Sequence, residues 1–133
     1  MKRSYLKKKS KSKIPTLKRK LWKIFSEYVR KRDKNVCFTC GRKAFGVGYH
    51  AGHFIPKSVG GIVLYFHPDN VKGQCYNCNI NLGGNQYEYG QKLGEEKVKE
   101  LYKLKNSPPQ KWDEQRYLFE IEWYKRLLDE LTN

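Results

Sequence analysis

The chain has 133 residues, of which 38% are apolar, and a formal net charge of +15. That length allows one small core and not two, and a core so small needs a staple, which four cysteines can supply. No apolar run approaches the ~20 residues that span a bilayer, and the basic N-terminus lacks the apolar stretch of a signal peptide. The expected setting is the cytoplasm, where paired cysteines bind metal more often than they form disulfides.

The charge is unevenly spread. Residues 1–34 carry fifteen Lys/Arg against Glu27 and Asp33, whereas residues 113–133 carry three against six acids. A basic front end of this density attracts polyanions through phosphate contacts and counterion release. Nucleic acid is the expected partner, because a solubility tail or a membrane-surface patch leaves the motifs below without a role. Residues 1–15, MKRSYLKKKSKSKIP, read as a basic arm with Lys7, Lys8 and Lys9 as expected DNA contacts. Residues 16–133 read as one domain.

Thr16 is the expected N-cap of a helix running to about Asp33, with Leu17, Leu21, Ile24, Phe25 and Tyr28 on its packing face. From Val36 to about Cys78 glycines cluster. There Ile62-Val63-Leu64-Tyr65-Phe66 reads as a strand and Gly60-Gly61 as a hairpin or loop signal. The segment predicts a β-hairpin framed by two cysteine knuckles. Helices are then expected over 85–93 and 95–105, divided near Gly94, before Pro108-Pro109 breaks the chain. A final helix from about Asp113 to Leu131 carries a seam of Tyr117, Ile121, Tyr124, Leu128 and Leu131. The seam would dock on the domain or pair with a second copy. The fold class is α+β.

Cys37-Phe38-Thr39-Cys40 and Cys75-Tyr76-Asn77-Cys78 are two C-x-x-C pairs. Two knuckles supply the four thiolates of a tetrahedral Zn²⁺ site, which has no open position and is therefore structural. The thirty-four residues between them, 41–74, exceed a minimal zinc ribbon, so something of its own lies inside the loop. All three histidines fall there, two of them in Tyr49-His50-Ala51-Gly52-His53-Phe54-Ile55-Pro56. His67 precedes Pro68-Asp69-Asn70 at a loop entry and reads as structural.

The order of a knuckle, A-G-H-F-I-P, D-N-V, Q-C-x-x-C-N and G-G-N resembles the HNH or ββα-metal nucleases. Within them it resembles the NinG (Rap) family of phage recombination nucleases, which act on Holliday junctions. The resemblance runs from about Leu17 to Gly94. It implies a ββα-metal finger flanked by N- and C-terminal helices, with His53 as the base that deprotonates water. Asn70 would brace the hairpin and orient that histidine, and Asn79 would ligate a catalytic cation. It departs from the HNH pattern at Gly52, where many members carry Asp or His. His50, at the place where NinG-like sequences tend to carry Asp, becomes the second expected ligand.

The chemistry suits these residue types. An imidazole with a pKa near ~6.5 can take a proton from water at neutral pH. A divalent ion, Mg²⁺ or Mn²⁺, neutralises charge on the phosphorane and the leaving oxygen. Lys57 and Lys72 flank the motif and would steer a phosphate toward it. The expected activity is therefore metal-dependent hydrolysis of branched DNA by a homodimer, with no small-molecule substrate. The alternatives are a sequence-tolerant HNH nicking enzyme and a non-catalytic zinc-ribbon DNA-binding module.

Overall fold

Leu21, Phe25 and Val29 recur every four residues along α1 (Ile14–Arg32) and have no exposed surface. A stripe of this spacing buries one helix face. It packs against Tyr117, Ile121 and Tyr124 of α5 (Glu114–Thr132), so the first and last helices close on each other. The structure is a computed structural model that describes residues 12–132; Lys7, Lys8 and Lys9 lie outside the described residues.

α1 begins at Ile14, not after a Thr16 cap. Pro15 sits in the first turn, where its missing N–H costs nothing, and the Ile14 N–H donates to Ser12 Oγ at 3.2 Å. At the other end Arg32 pairs with Asp33 at 2.7 Å and donates to the carbonyls of Pro68 and Val71. Asp33 also accepts the N–H of Gly73 at 2.7 Å. These bonds fasten α1 to the sheet.

The sheet has two antiparallel strands, β1 (Tyr49–His53) and β2 (Val71–Cys75), with His53 opposite Val71 and Tyr49 opposite Cys75. The connection from 54 to 70 is no tight hairpin, because it contains α2 (Lys57–Tyr65). The expected strand at Ile62–Phe66 is therefore corrected: its residues lie in or just beyond this helix. The Gly60-Gly61 signal marks a kink, with Gly61 at φ 74°. An apolar run of five residues fits a strand or a buried helical turn equally by pattern. Packing decides, since Leu64 is buried against Ile55, Tyr89 and Leu101 in a second core cluster.

After Cys78 the chain follows the expected order. A π-helical turn (Asn77–Asn81) leads through Gly83-Gly84 to α3 (Gln86–Leu93) and α4 (Glu95–Lys105), which Gly94 separates at φ 90°. Mixed α and β structure is thus as expected, with a sheet of only two strands. No helix among the described residues is long and apolar enough to cross a membrane.

Candidate functional site

The four cysteines converge. Their sulfurs lie within 4.8 Å of one another, with Cys37, Cys75 and Cys78 buried and Cys40 exposed. The first knuckle turns on Gly41, at φ 78°, whose N–H donates to the Cys37 carbonyl at 2.8 Å. The second joins the end of β2 to the π-helical turn. Burial alone would raise the Cys37 thiol, but the Thr39 hydroxyl and the N–H groups of Cys75, Cys40 and Thr39 outweigh it and bring the pKa to about 6. Cys40 is pushed up to about 12 by burial and by the neighbouring thiols. Four thiolates at this spacing repel one another, and a cation is what makes the set stable. The donor set, sulfur only and closed, fits structural zinc.

His53 ends β1 and is only 9% exposed. Its ring stacks on Trp22 of α1, with centroids 5.3 Å apart, and meets Tyr65 edge-on. Nε2 lies 2.9 Å from the Tyr65 carbonyl. A carbonyl only accepts, so Nε2 carries the proton and Nδ1 keeps the lone pair. Burial lowers the pKa to about 4, with the Tyr65 carbonyl opposing and the Lys57 ammonium adding to the shift. The imidazole is neutral at pH 7.

His53, Lys57, Asn79 and Gln86 line one pocket of about 210 Å³, together with backbone from Gly83 and Gly84. Asn79 belongs to the π-helical turn and donates from Nδ2 to Nδ1 of His50 at 2.9 Å, while His50 Nε2 donates to the Val47 carbonyl. His50 and Asn79 are thus brought together, and Asn79 and His53 share a pocket. Lys57 lines that pocket, whereas Lys72 turns to Asp69 at 4.0 Å and to the Phe38 ring.

Asn70 is fully buried. Its Oδ1 accepts the Ile55 N–H at 2.8 Å, and its Nδ2 donates to the carbonyls of Ile55 and Leu64. It ties the segment just after β1 to the last turn of α2, one residue before the carbonyl that meets His53. His67 accepts the Asp69 N–H on Nδ1 at 3.1 Å, in line with a structural role.

Gly52 has a steric explanation. A Cβ there would overlap Gln74 Oε1 and come within 2.9 Å of Asn79 Oδ1. Gln74 is fully buried; its Nε2 donates to Thr39 Oγ1 and the Gly84 carbonyl, while Oε1 has no partner. Among the described residues the cysteines are the one group of three or more His, Cys, Asp or Glu positioned for a metal. The amide oxygens of Asn79 and Gln74 both face Gly52, and His50 Nδ1 beside them is engaged by the Asn79 amide.

Four residues missed in the sequence shape this site. Tyr89, fully buried, donates to the Gly52 carbonyl at 2.7 Å, and its four-residue spacing to Leu93 was the available signal. Gln74 stood within the quoted cysteine motif. Trp22 packs on the first core cluster and also lies half-buried against His53. Nothing local marks Arg32 as the link to β2.

These features define a mixed α/β protein in which a four-cysteine centre pins a two-stranded sheet, with a buried histidine at the end of its first strand. The chain belongs to the NinG family: the family model described as bacteriophage lambda NinG protein matches residues 1–133. No curated protein and no solved structure matches it.

Proposed function

We propose that this protein is a metal-dependent DNA endonuclease of the His-metal finger class that cuts branched DNA such as Holliday junctions. The observation that carries the reading is the state of His53: neutral, fixed through Nε2, with a lone pair on Nδ1 in a pocket shared with Asn79 and Lys57. A general base needs a fixed orientation, a free lone pair and a pKa near the working pH. The first two are present, and the negative charge of a phosphate in the pocket would raise the third from about 4. Family membership supports the link to phage recombination.

In this reading His53 Nδ1 accepts a proton from the attacking water, and the Tyr65 carbonyl stabilises the resulting imidazolium through Nε2–H. Lys57 contributes positive charge where the phosphate would lie. Asn79 Oδ1 and the unpartnered Gln74 Oε1 would hold a catalytic divalent ion, and His50 Nδ1 would join them by giving up the hydrogen bond it accepts from Asn79 Nδ2. A nitrogen-and-amide set without carboxylate suits Mn²⁺ better than Mg²⁺. When bound, that ion supplies charge neutralisation at the scissile phosphate. Asn70 keeps the histidine in place.

A homodimer is part of the proposal, since two symmetry-related strands call for two sites. The inner residues of the α5 seam already face α1. A second copy would meet the outward side of α5, where Phe119 is 63% and Trp123 45% exposed. A surface depression of about 670 Å³ runs beside these two residues.

Incubation of the zinc-loaded protein with a synthetic four-way junction and with a linear duplex of equal length, in Mn²⁺ or Mg²⁺, tests the reading. Cleavage of the junction, lost in His53→Ala, is expected. Binding without cleavage under both ions would reduce the protein to a zinc-stabilised DNA-binding module.

A further inference from the structure

We propose that Lys18 and Lys57 together form a two-ammonium site that grips one backbone phosphate of the strand lying across the His53 pocket. The proposal rests on the reading of the protein as a DNA endonuclease. It adds α1 to the substrate-binding surface.

The two lysines come from different helices, yet both ammonium groups sit over one aromatic ring. Lys18 Nζ is 4.4 Å from the centroid of Tyr65, and Lys57 Nζ is 5.4 Å from it and 4.6 Å from that of Trp22. The same two rings pack on His53, so the cations lie beside the proposed base. Cation–π contacts hold a lysine in place without neutralising it.

No nearby carboxylate among the described residues neutralises either lysine. Asp69 is shared by Lys72 and Lys97, Asp33 is taken by Arg32, and Glu27 faces Lys31. Among the described residues neither Lys18 nor Lys57 has a carboxylate within ion-pair distance. Burial and the nearby Lys18 charge both lower the Lys57 pKa, the first more than the second. Two mutually repelling ammonium groups, 4.4 and 5.4 Å from the same ring centroid, gain most from a ligand that carries negative charge on several oxygens. A phosphodiester of the DNA backbone has that chemistry, and the pocket beside it has the proposed base.

The test is a double-mutant cycle on DNA binding, using the full zinc-loaded chain with Ca²⁺ in place of a cleavage-supporting ion. Lys18→Gln, Lys57→Gln and the double variant are compared with Lys99→Gln, a charge removed from an exposed ion pair with Glu95. Each single change is expected to weaken junction binding on the order of tenfold, as for loss of a charged hydrogen bond, with Lys99→Gln near wild type. The double variant should be little worse than the worse single, and its log–log salt slope should fall by about 0.9, the value for one phosphate. Additive losses with a slope change of about 1.8 would mean two separate phosphates and overturn the shared site. Binding unchanged by either substitution, or losses no larger than that of Lys99→Gln, would also overturn it. If wild type binds but never cuts in Mn²⁺ or Mg²⁺, the nuclease reading fails while the binding cycle still decides the lysine site. If wild type does not bind DNA, both fail.

Discussion

His53 and Tyr65 are joined by a 2.9 Å contact from imidazole Nε2 to the backbone carbonyl. The Tyr65 ring meanwhile packs on that imidazole at 5.2 Å. One residue therefore fixes both the tautomer and the tilt of the histidine. Because the acceptor is backbone, the orientation depends on where α2 ends and not on the Tyr65 side chain. The hydroxyl is dispensable for it.

A neutral, buried His53 leads to a pH prediction. Its pKa in the folded chain is about 4, against 6.5 for an ordinary imidazole. Above pH 6.5 both folded and unfolded chains carry it neutral, and it adds no pH dependence. As pH falls from 6.5 toward 4 the unfolded chain binds a proton that the folded chain does not, so stability declines. The loss reaches about 3 kcal/mol at ~1.4 kcal/mol per pH unit. NMR titration of the imidazole should give a midpoint near 4, and His53→Ala should flatten the acid limb of stability while lowering cleavage by ~10²- to 10⁴-fold. A midpoint near 6.5 would contradict the burial argument.

Asn70→Ala should damage both stability and cleavage without touching DNA. It strands the Ile55 N–H and two carbonyls in the core, and each unsatisfied buried group costs about 1–3 kcal/mol. Denaturant titration should show that loss. If the variant remains folded at low temperature, its kcat should drop while its affinity for the junction stays near wild type. The reverse split would make Asn70 a binding residue.

Gly52→Ala tests why the chain departs from the HNH pattern at this position. The new Cβ overlaps Gln74 and crowds Asn79, and overpacking of this kind costs about 1–3 kcal/mol. Gly48→Ala, where nothing lies within 4 Å of the added carbon, is the control and should be nearly neutral. Comparable Tm values for the two variants would mean that the crowding is relieved cheaply.

Much of this site could be read from sequence, and for definite reasons. The two C-x-x-C pairs carry their geometry in their spacing, so Cys37, Cys40, Cys75 and Cys78 meet as expected. The α5 residues Tyr117, Ile121 and Tyr124 follow helical spacing and are buried accordingly. The strands were hard to see because β1 and β2 include Gly52 and Gly73 and hold polar His50 and Gln74, against ordinary β preferences. The more β-like run at Ile62–Phe66 is mostly helical, because its packing on α4, far along the chain, and the Asn70 bond to the Leu64 carbonyl decide what the local pattern leaves open. Gln74, Tyr89 and Trp22 escaped for the same reason: their roles depend on partners tens of residues away.

Zinc removal should unfold the centre of the chain. The cysteine centre joins the segment after α1 to the end of β2, and structural zinc can contribute ~10–16 kcal/mol of apparent binding energy. Elemental analysis should find one zinc per chain, and Cys37→Ser or Cys78→Ser should lower Tm more than Cys40→Ser, since Cys40 alone of the four is exposed. A metal-free chain with unchanged Tm would show that the thiols are merely neighbours.

The last prediction separates the two sides of α5. Ile121 is 1% exposed and packs in the same cluster as Phe25 and Tyr124. Ile121→Ala should therefore cost about 2–5 kcal/mol as a core truncation, whatever the oligomeric state. Phe119 and Trp123 face outward beside Glu122 and Arg126, so the same helix offers a second, unfilled apolar strip with charges of both signs. An antiparallel copy could set Arg126 of one helix against acids of the other. Phe119→Ser with Trp123→Ser should leave Tm of the monomer near wild type, because these side chains contribute little to the core. If the homodimer forms through this strip, light scattering should show dimer in wild type and monomer in the double variant. Cleavage of the two junction strands should then become uncoupled. A wild type that stays monomeric both free and on a junction removes the dimer from the proposed mechanism; a double variant that stays dimeric moves the interface off α5.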